Sequence, residues 1–182
     1  AILVGDSLGM VVQGHQSTIP VTVQQICYHT EMVSRGANQA CIIADMPFLS
    51  YQRSCSQALK NASLLIQSGA QAVKLEGGKV ICPQVKALSE SGITVIGHIG
   101  VTPQSIHALG SFKKRRKENK ECGIVMNDAR LLERNGASII VLENLTKELA
   151  KKISAEISIP TIGIGSGNAV DGQVKVFHDI FG

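Results

Sequence analysis

Four apolar runs in this chain each end in a carboxylate: AILVGD at Asp6, ACIIAD at Asp45, AVKLE at Glu76 and SIIVLE at Glu143. Carboxylates gathered in one place repel one another unless a cation or a shared proton neutralises them, and their oxygens are the ligands that a hard divalent ion such as Mg2+ prefers. A strand that is apolar on both faces and stops at an acid describes a parallel sheet covered by helices, with the acids at its carboxyl edge, where such folds do chemistry. The pattern predicts an enzyme that uses a hard metal ion.

Each residue also has a plainer reading. Asp6 and Ser7, in GDSLG, either satisfy backbone groups of a turn or offer a metal ligand and an anion-binding hydroxyl and amide. Asp45, before Met46-Pro47, is a helix cap or a ligand. Glu76 lies two residues from Lys74 on one strand face, so the two form an ion pair, or else one binds a metal and the other a substrate carboxylate. His98, in GHIG at a strand end, is a hydrogen-bonded core histidine or a group of the site. Glu143, before Asn144, is a helix cap or a carboxylate left clear of metal to act as a base. GIGSGN, from Gly163 to Asn168, has the composition of a glycine-rich phosphate loop, a weak signal by itself. The basic run from Lys113 to Lys120 reads as a solvated loop.

The elements that must position these groups repeat one unit. SRGANQACIIAD, QSGAQAVKLE and RNGASIIVLE each pass from a helical segment through Gly-Ala into an apolar run and an acid, with Gly36, Gly69 and Gly136 placed for the left-handed residue just past a helix. Leu59, Ala62, Leu65 and Ile66 have helical spacing, as do Leu145, Leu149, Ile153 and Ile157. With ITVIGH, TIGIG and QVKVFHD as further strands, seven are expected, ending near Asp6, Asp45, Glu76, His98, Glu143, Gly165 and Asp179. Consecutive steps of this length predict an α/β fold, a (β/α)8 TIM barrel, as a single domain over residues 1–182. The chain starts within a strand at Ala1, so the barrel is expected to be incomplete at both ends, with open edges covered by another subunit or poorly ordered.

With 44% hydrophobic and 18% charged residues the composition is that of a soluble globular protein. A net charge of +4, much of it from one short cluster, argues against nucleic acid as a partner. No run reaches the length of a membrane span. The five scattered cysteines read as reduced thiols, which favours the cytoplasm, with organellar import left open by the start at Ala1 rather than methionine.

The strings LVGDSLGMVVQGHQSTIPVT, YHTEMVSRGA, IIADMPF, VKLEGG, GHIGVTPQS, IVLEN, IPTIGIGSGN and DGQVKVFHDIFG run in order from Leu3 to Gly182 and resemble the ketopantoate hydroxymethyltransferase family. The resemblance implies a (β/α)8 barrel that transfers a one-carbon unit from 5,10-methylenetetrahydrofolate to 3-methyl-2-oxobutanoate, giving ketopantoate for pantothenate and coenzyme A. It implies Asp6, Asp45 and Glu76 as the Mg2+ site; Asp6, Ser7, Asp45 and Lys74 as the residues that hold the keto acid; Glu143 as proton acceptor; and His98 as a histidine lining the site. It further implies a homo-oligomer, a decamer, with a keto acid and a folate as its small-molecule partners. The chain departs from the family where it reads GSFKKRRK in place of GGYKVQGR, and Asn144-Leu145-Thr146 in place of Cys-Val-Pro. The alternatives are another Mg2+-dependent 2-oxo-acid lyase or aldolase of a related barrel, or an inactive remnant with an interaction role.

Overall fold

A computed structural model describes residues 1–105 and 119–182, which group into two compact units. The first comprises Ala1–Leu75 and Pro83–Val95, the second Glu76–Cys82 and Ile96–Gly182. Seven strands are present among the described residues, and their order in the sheet is their order in the chain. The basic run from Lys113 to Lys120 lies outside the described residues, except that Asn119 and Lys120 open a helix.

In the first unit the strands β1 (Ile2–Val4), β2 (Ile42–Asp45) and β3 (Ala72–Glu76, through Leu75) alternate with the helices α1 (Leu8–Val11), α2 (Val23–Gly36) and α3 (Cys55–Gln67). Helix α4 (Cys82–Glu90) joins this unit from Pro83 onward. β1 pairs with β2, and β2 with β3, in parallel, with Ile2 beside Ile42 and Asp45 beside Lys74. Every residue of β3 is buried, as the unbroken apolar run requires of a strand covered on both faces. Local signals start the helices: Thr22 and Gln25 form a capping box at α2, and the Ser54 hydroxyl accepts from the Gln57 amide at α3. The apolar stripes then point inward, with Ile26 of α2, Ala58, Ala62 and Leu65 of α3, and Val85 and Leu88 of α4 fully buried.

In the second unit, β4 (Thr94–Gly100, from Ile96), β5 (Ala137–Glu143), β6 (Thr161–Ile164) and β7 (Gly172–Gln173) alternate with α5 (Asn119–Arg134) and α6 (Lys147–Glu156), and α7 (Phe177–Phe181) follows. Glu143 pairs with Ile164 in the parallel β5–β6 register. Leu145, Leu149, Ile153 and Ile157 are all buried, as their spacing predicts. The start of β6 is pinned by Asp171, whose Oδ2 accepts from both the amide and the hydroxyl of Thr161 at 2.8 Å. These two bonds hold the Asp171 carboxyl below the ordinary carboxylate range. A group depressed in this way contributes stability above its unfolded pKa and loses it as pH falls through the folded value. Thr161→Val removes the hydroxyl but keeps the amide bond, so the Asp171 titration, followed by carboxyl-carbon NMR, should move only part of the way back towards the ordinary range, with a matching partial loss of acid sensitivity.

Two details of the sequence reading are corrected. The last strand does not run over Gln173–Asp179: only Gly172–Gln173 pairs, and Phe177–Phe181 forms a short helix. Phe177, Ile180 and Phe181 recur at helical spacing, and the Phe177 and Phe181 rings meet with centroids 4.6 Å apart. Gly69 and Gly136 do take positive φ, 105° and 95°, but Gly36 is the last residue of α2 and does not. The segment between α2 and β2, Ala37 to Cys41, is long enough to turn without a left-handed residue at its first position. No helix among the described residues is long and apolar enough to cross a membrane.

Candidate active site

The first unit gathers three charges at its strand ends. Asp45 closes β2 and Lys74 is its register partner on β3, which places the Lys74 ammonium 2.9 Å from Asp45 Oδ1 with both side chains at most 5% exposed. The Asp6 amide donates to the other carboxylate oxygen, Oδ2, at 2.9 Å. Asp6 itself is buried, in the turn through which Gly5 leads into α1. Ser7 is half-buried at the start of α1, with its hydroxyl close to Gly5. Asp45 is thus held by a buried ammonium on one oxygen and a backbone amide on the other, as a buried carboxylate requires. The helix-cap reading of Asp45 falls away, because Ser54 caps α3.

In the second unit, the central residue is His98. Its Nδ1 lies 3.4 Å from Glu76 Oε1 and its Nε2 lies 3.2 Å from Glu143 Oε2. Glu76 is held from its other side by the Gln104 amide, which donates to Oε2 at 3.0 Å. The backbone explains why these groups meet. The Gly77 amide donates to the His98 carbonyl and the Val101 amide donates to the Glu143 carbonyl, so β4 lies between the end of β3 and β5. Glu76 and His98 are buried to 3%, whereas the Glu143 side chain is 22% exposed. Glu143 is not a helix cap, since Thr146 caps α6.

Three residues that sequence reasoning missed hold the end of β5. Asn144 takes a positive φ of 55° and donates its amide to the Ile164 carbonyl. The Ser166 hydroxyl, wholly buried, donates to the Leu142 carbonyl at 2.7 Å and accepts from the Leu145 amide at 3.1 Å, so it clasps the peptides on either side of Glu143 and Asn144. The serine of the GIGSGN loop thus acts on the neighbouring strand, and its sequence gave no sign of that. Gly100 has φ 103°, and a Cβ there would overlap the Glu143 carbonyl oxygen. Gly100→Ala should cost at least about 2 kcal/mol, read as a lowered urea midpoint, from backbone strain together with the overlap.

Asp6, Asp45 and Lys74 are thus brought together, as are Glu76, His98 and Glu143. Among the described residues no group of three or more His, Cys, Asp or Glu side chains stands together so as to hold a metal ion.

A family model described as ketopantoate hydroxymethyltransferase matches residues 1–182. The chain is 54% identical over 182 residues to a 3-methyl-2-oxobutanoate hydroxymethyltransferase of Thermoanaerobacter sp. (strain X514), covering all of this chain and 66% of that protein, so it spans just under two thirds of that relative's length. Among solved structures it is similar to phosphoenolpyruvate phosphomutase from Streptomyces platensis subsp. rosaceus, with TM-score 0.71 at 10% identity over 99% of this chain and 70% of the other. It is also similar to phosphonopyruvate hydrolase, solved as a complex with oxalate and Mg++, with TM-score 0.65 at 10% identity over 90% and 59%. At such identities these two likenesses speak for the fold, the α/β class of (β/α)8 barrels that the sequence implies.

Proposed function

Because the chain belongs to the ketopantoate hydroxymethyltransferase family, we propose that its protein transfers a hydroxymethyl group from 5,10-methylenetetrahydrofolate to 3-methyl-2-oxobutanoate, giving ketopantoate on the route to pantothenate and coenzyme A. The observation that carries this reading is the match of the whole chain to that family. The protein works as a homo-oligomer in the cytoplasm.

Asp6 and Asp45, with Glu76, are the residues that would hold Mg2+. The donor chemistry is of the right kind, since Mg2+ takes carboxylate oxygens, is commonly bound through one or two carboxylates and keeps several waters, and Asp6 and Asp45 are both buried. When bound, Mg2+ supplies Lewis acidity at the keto oxygen, which makes the C3 proton easier to remove.

The remaining work falls to the chain itself. The Lys74 ammonium is a compact positive charge fixed by Asp45, suited to holding the carboxylate of the keto acid, and Ser7 adds a hydroxyl for the same group. Glu143 takes the proton from C3 and leaves that carbon nucleophilic towards the folate methylene; the new C–C bond forms as the methylene's C–N bonds to the folate break, water supplies the hydroxyl, and tetrahydrofolate leaves. Its partial exposure suits a group that must reach a substrate, while Glu76 is engaged by Gln104 and His98.

Tetrahydrofolate release by the full-length protein tests this reading. Release should depend on 3-methyl-2-oxobutanoate and on added Mg2+, and stop when EDTA removes the metal. Release with pyruvate or oxaloacetate but not with the branched acid would reassign the protein to another 2-oxo-acid lyase or aldolase.

A further inference from the structure

We propose that His98 is a positioning residue that sets the carboxylate of Glu143 in the orientation proton transfer requires. The inference rests on the assignment of Glu143 as the base and extends it to a group whose role that assignment leaves open. A glutamate has three side-chain torsions and loses rotamer entropy when fixed, so a partly exposed one needs something to hold it. What stands beside Glu143 is a buried ring on the adjacent strand, with Nε2 3.2 Å from Oε2. The ring is itself held at its other end. Its Nδ1 is 3.4 Å from Glu76 Oε1, and Glu76 is tied through Oε2 to the Gln104 amide. His98 also has its carbonyl bonded by the Gly77 amide at 2.9 Å. The Gln104 backbone, Glu76, His98 and Glu143 thus follow one another within one compact unit, the last step, from Nε2 to Glu143 Oε2, being a close approach within ion-pair range rather than an aligned hydrogen bond.

The same geometry separates His98 from the role of base. Each ring nitrogen has a carboxylate oxygen within 3.4 Å, and the ring is 3% exposed against 22% for Glu143. A group enclosed in this way acts on the substrate through its neighbour.

The two amide side chains allow a directional test, because Asn places its amide near the position of Nδ1 and Gln extends one to that of Nε2. In the full-length protein, His98→Asn keeps a partner for Glu76 and loses the one for Glu143. It should slow solvent deuterium exchange at C3 of 3-methyl-2-oxobutanoate by about 10- to 100-fold, the scale of loss from misplacing a reacting group by about 1 Å. The KM of the keto acid should stay within about twofold of the parent value. His98→Gln should recover exchange to within about threefold of the parent. Crystal structures of both variants should show Glu143 displaced in the first and in place in the second. The proposal is overturned if His98→Asn exchanges at the parent rate, if both variants fall alike, or if Glu143 keeps its position in His98→Asn. Should the parent protein exchange no C3 proton, the assigned reaction fails instead, and the position of Glu143 in the two variant structures still decides the role of His98.

Discussion

Glu143→Gln in the full-length protein is expected to slow exchange of the C3 proton of 3-methyl-2-oxobutanoate by about 100- to 10,000-fold, the usual contribution of a general base. The substitution keeps length and hydrogen bonding while removing basicity, and the backbone around it is held by contacts the side chain does not make. Asn144 bonds Ile164, Val101 bonds the Glu143 carbonyl, and Ser166 clasps Leu142 and Leu145. The fold of the β5 end should therefore survive, and keto-acid and Mg2+ affinity should stay near their parent values. Calorimetric titration with each, alongside NMR-detected exchange, separates the outcomes. A loss of Mg2+ affinity would move Glu143 among the metal ligands, and unchanged exchange would remove it from the reaction.

Lys74→Met is expected to destabilise the protein by about 3–5 kcal/mol, because it strands the Asp45 carboxylate in the interior without its countercharge. Both side chains are at most 5% exposed, so solvent screens the pair little, and Met fills most of the volume left by the lysine stem. The cost should be read as a lowered urea midpoint with an unchanged slope. A second variant, Lys74→Met with Asp45→Asn, removes the stranded charge and keeps an oxygen that accepts from the Asp6 amide, so it should regain most of the loss. If the single variant costs under about 1 kcal/mol, the pair behaves as a solvated surface bridge and its burial is illusory. Both variants should also lose affinity for the keto-acid carboxylate, since neither has the ammonium.

The acids at the strand ends were legible because a strand buried on both faces leaves an unbroken apolar run, and a charge at its end stands out. The fold class followed from the regular return of that pattern. The partners of the charges were not legible. Lys74 has Asp45 as an ion-pair partner, and only the register of two parallel strands brings those two side by side. His98 was visible as a strand-end histidine, but the two carboxylates on its ring come from segments far away in the chain. Ser166 was visible only as part of a glycine-rich loop, since a hydroxyl that clasps a neighbouring strand carries no mark of periodicity. The last strand was misplaced because Val174 and Val176 alternate like a strand, while the three apolar residues that follow have the spacing of a helix turn.

The agreement between sheet order and chain order bears on how the protein is made. Each strand finds its neighbour one strand-helix step earlier in the chain, as Ile42 does with Ile2 and Thr161 with Ile140. Among the described strands each pairing is with a sequence neighbour, so the loops these pairings close are short and their entropic cost stays modest. On the ribosome the sheet can lengthen from its amino-terminal strand as each helix emerges, and the edge exposed at any moment is the one the next segment is about to cover.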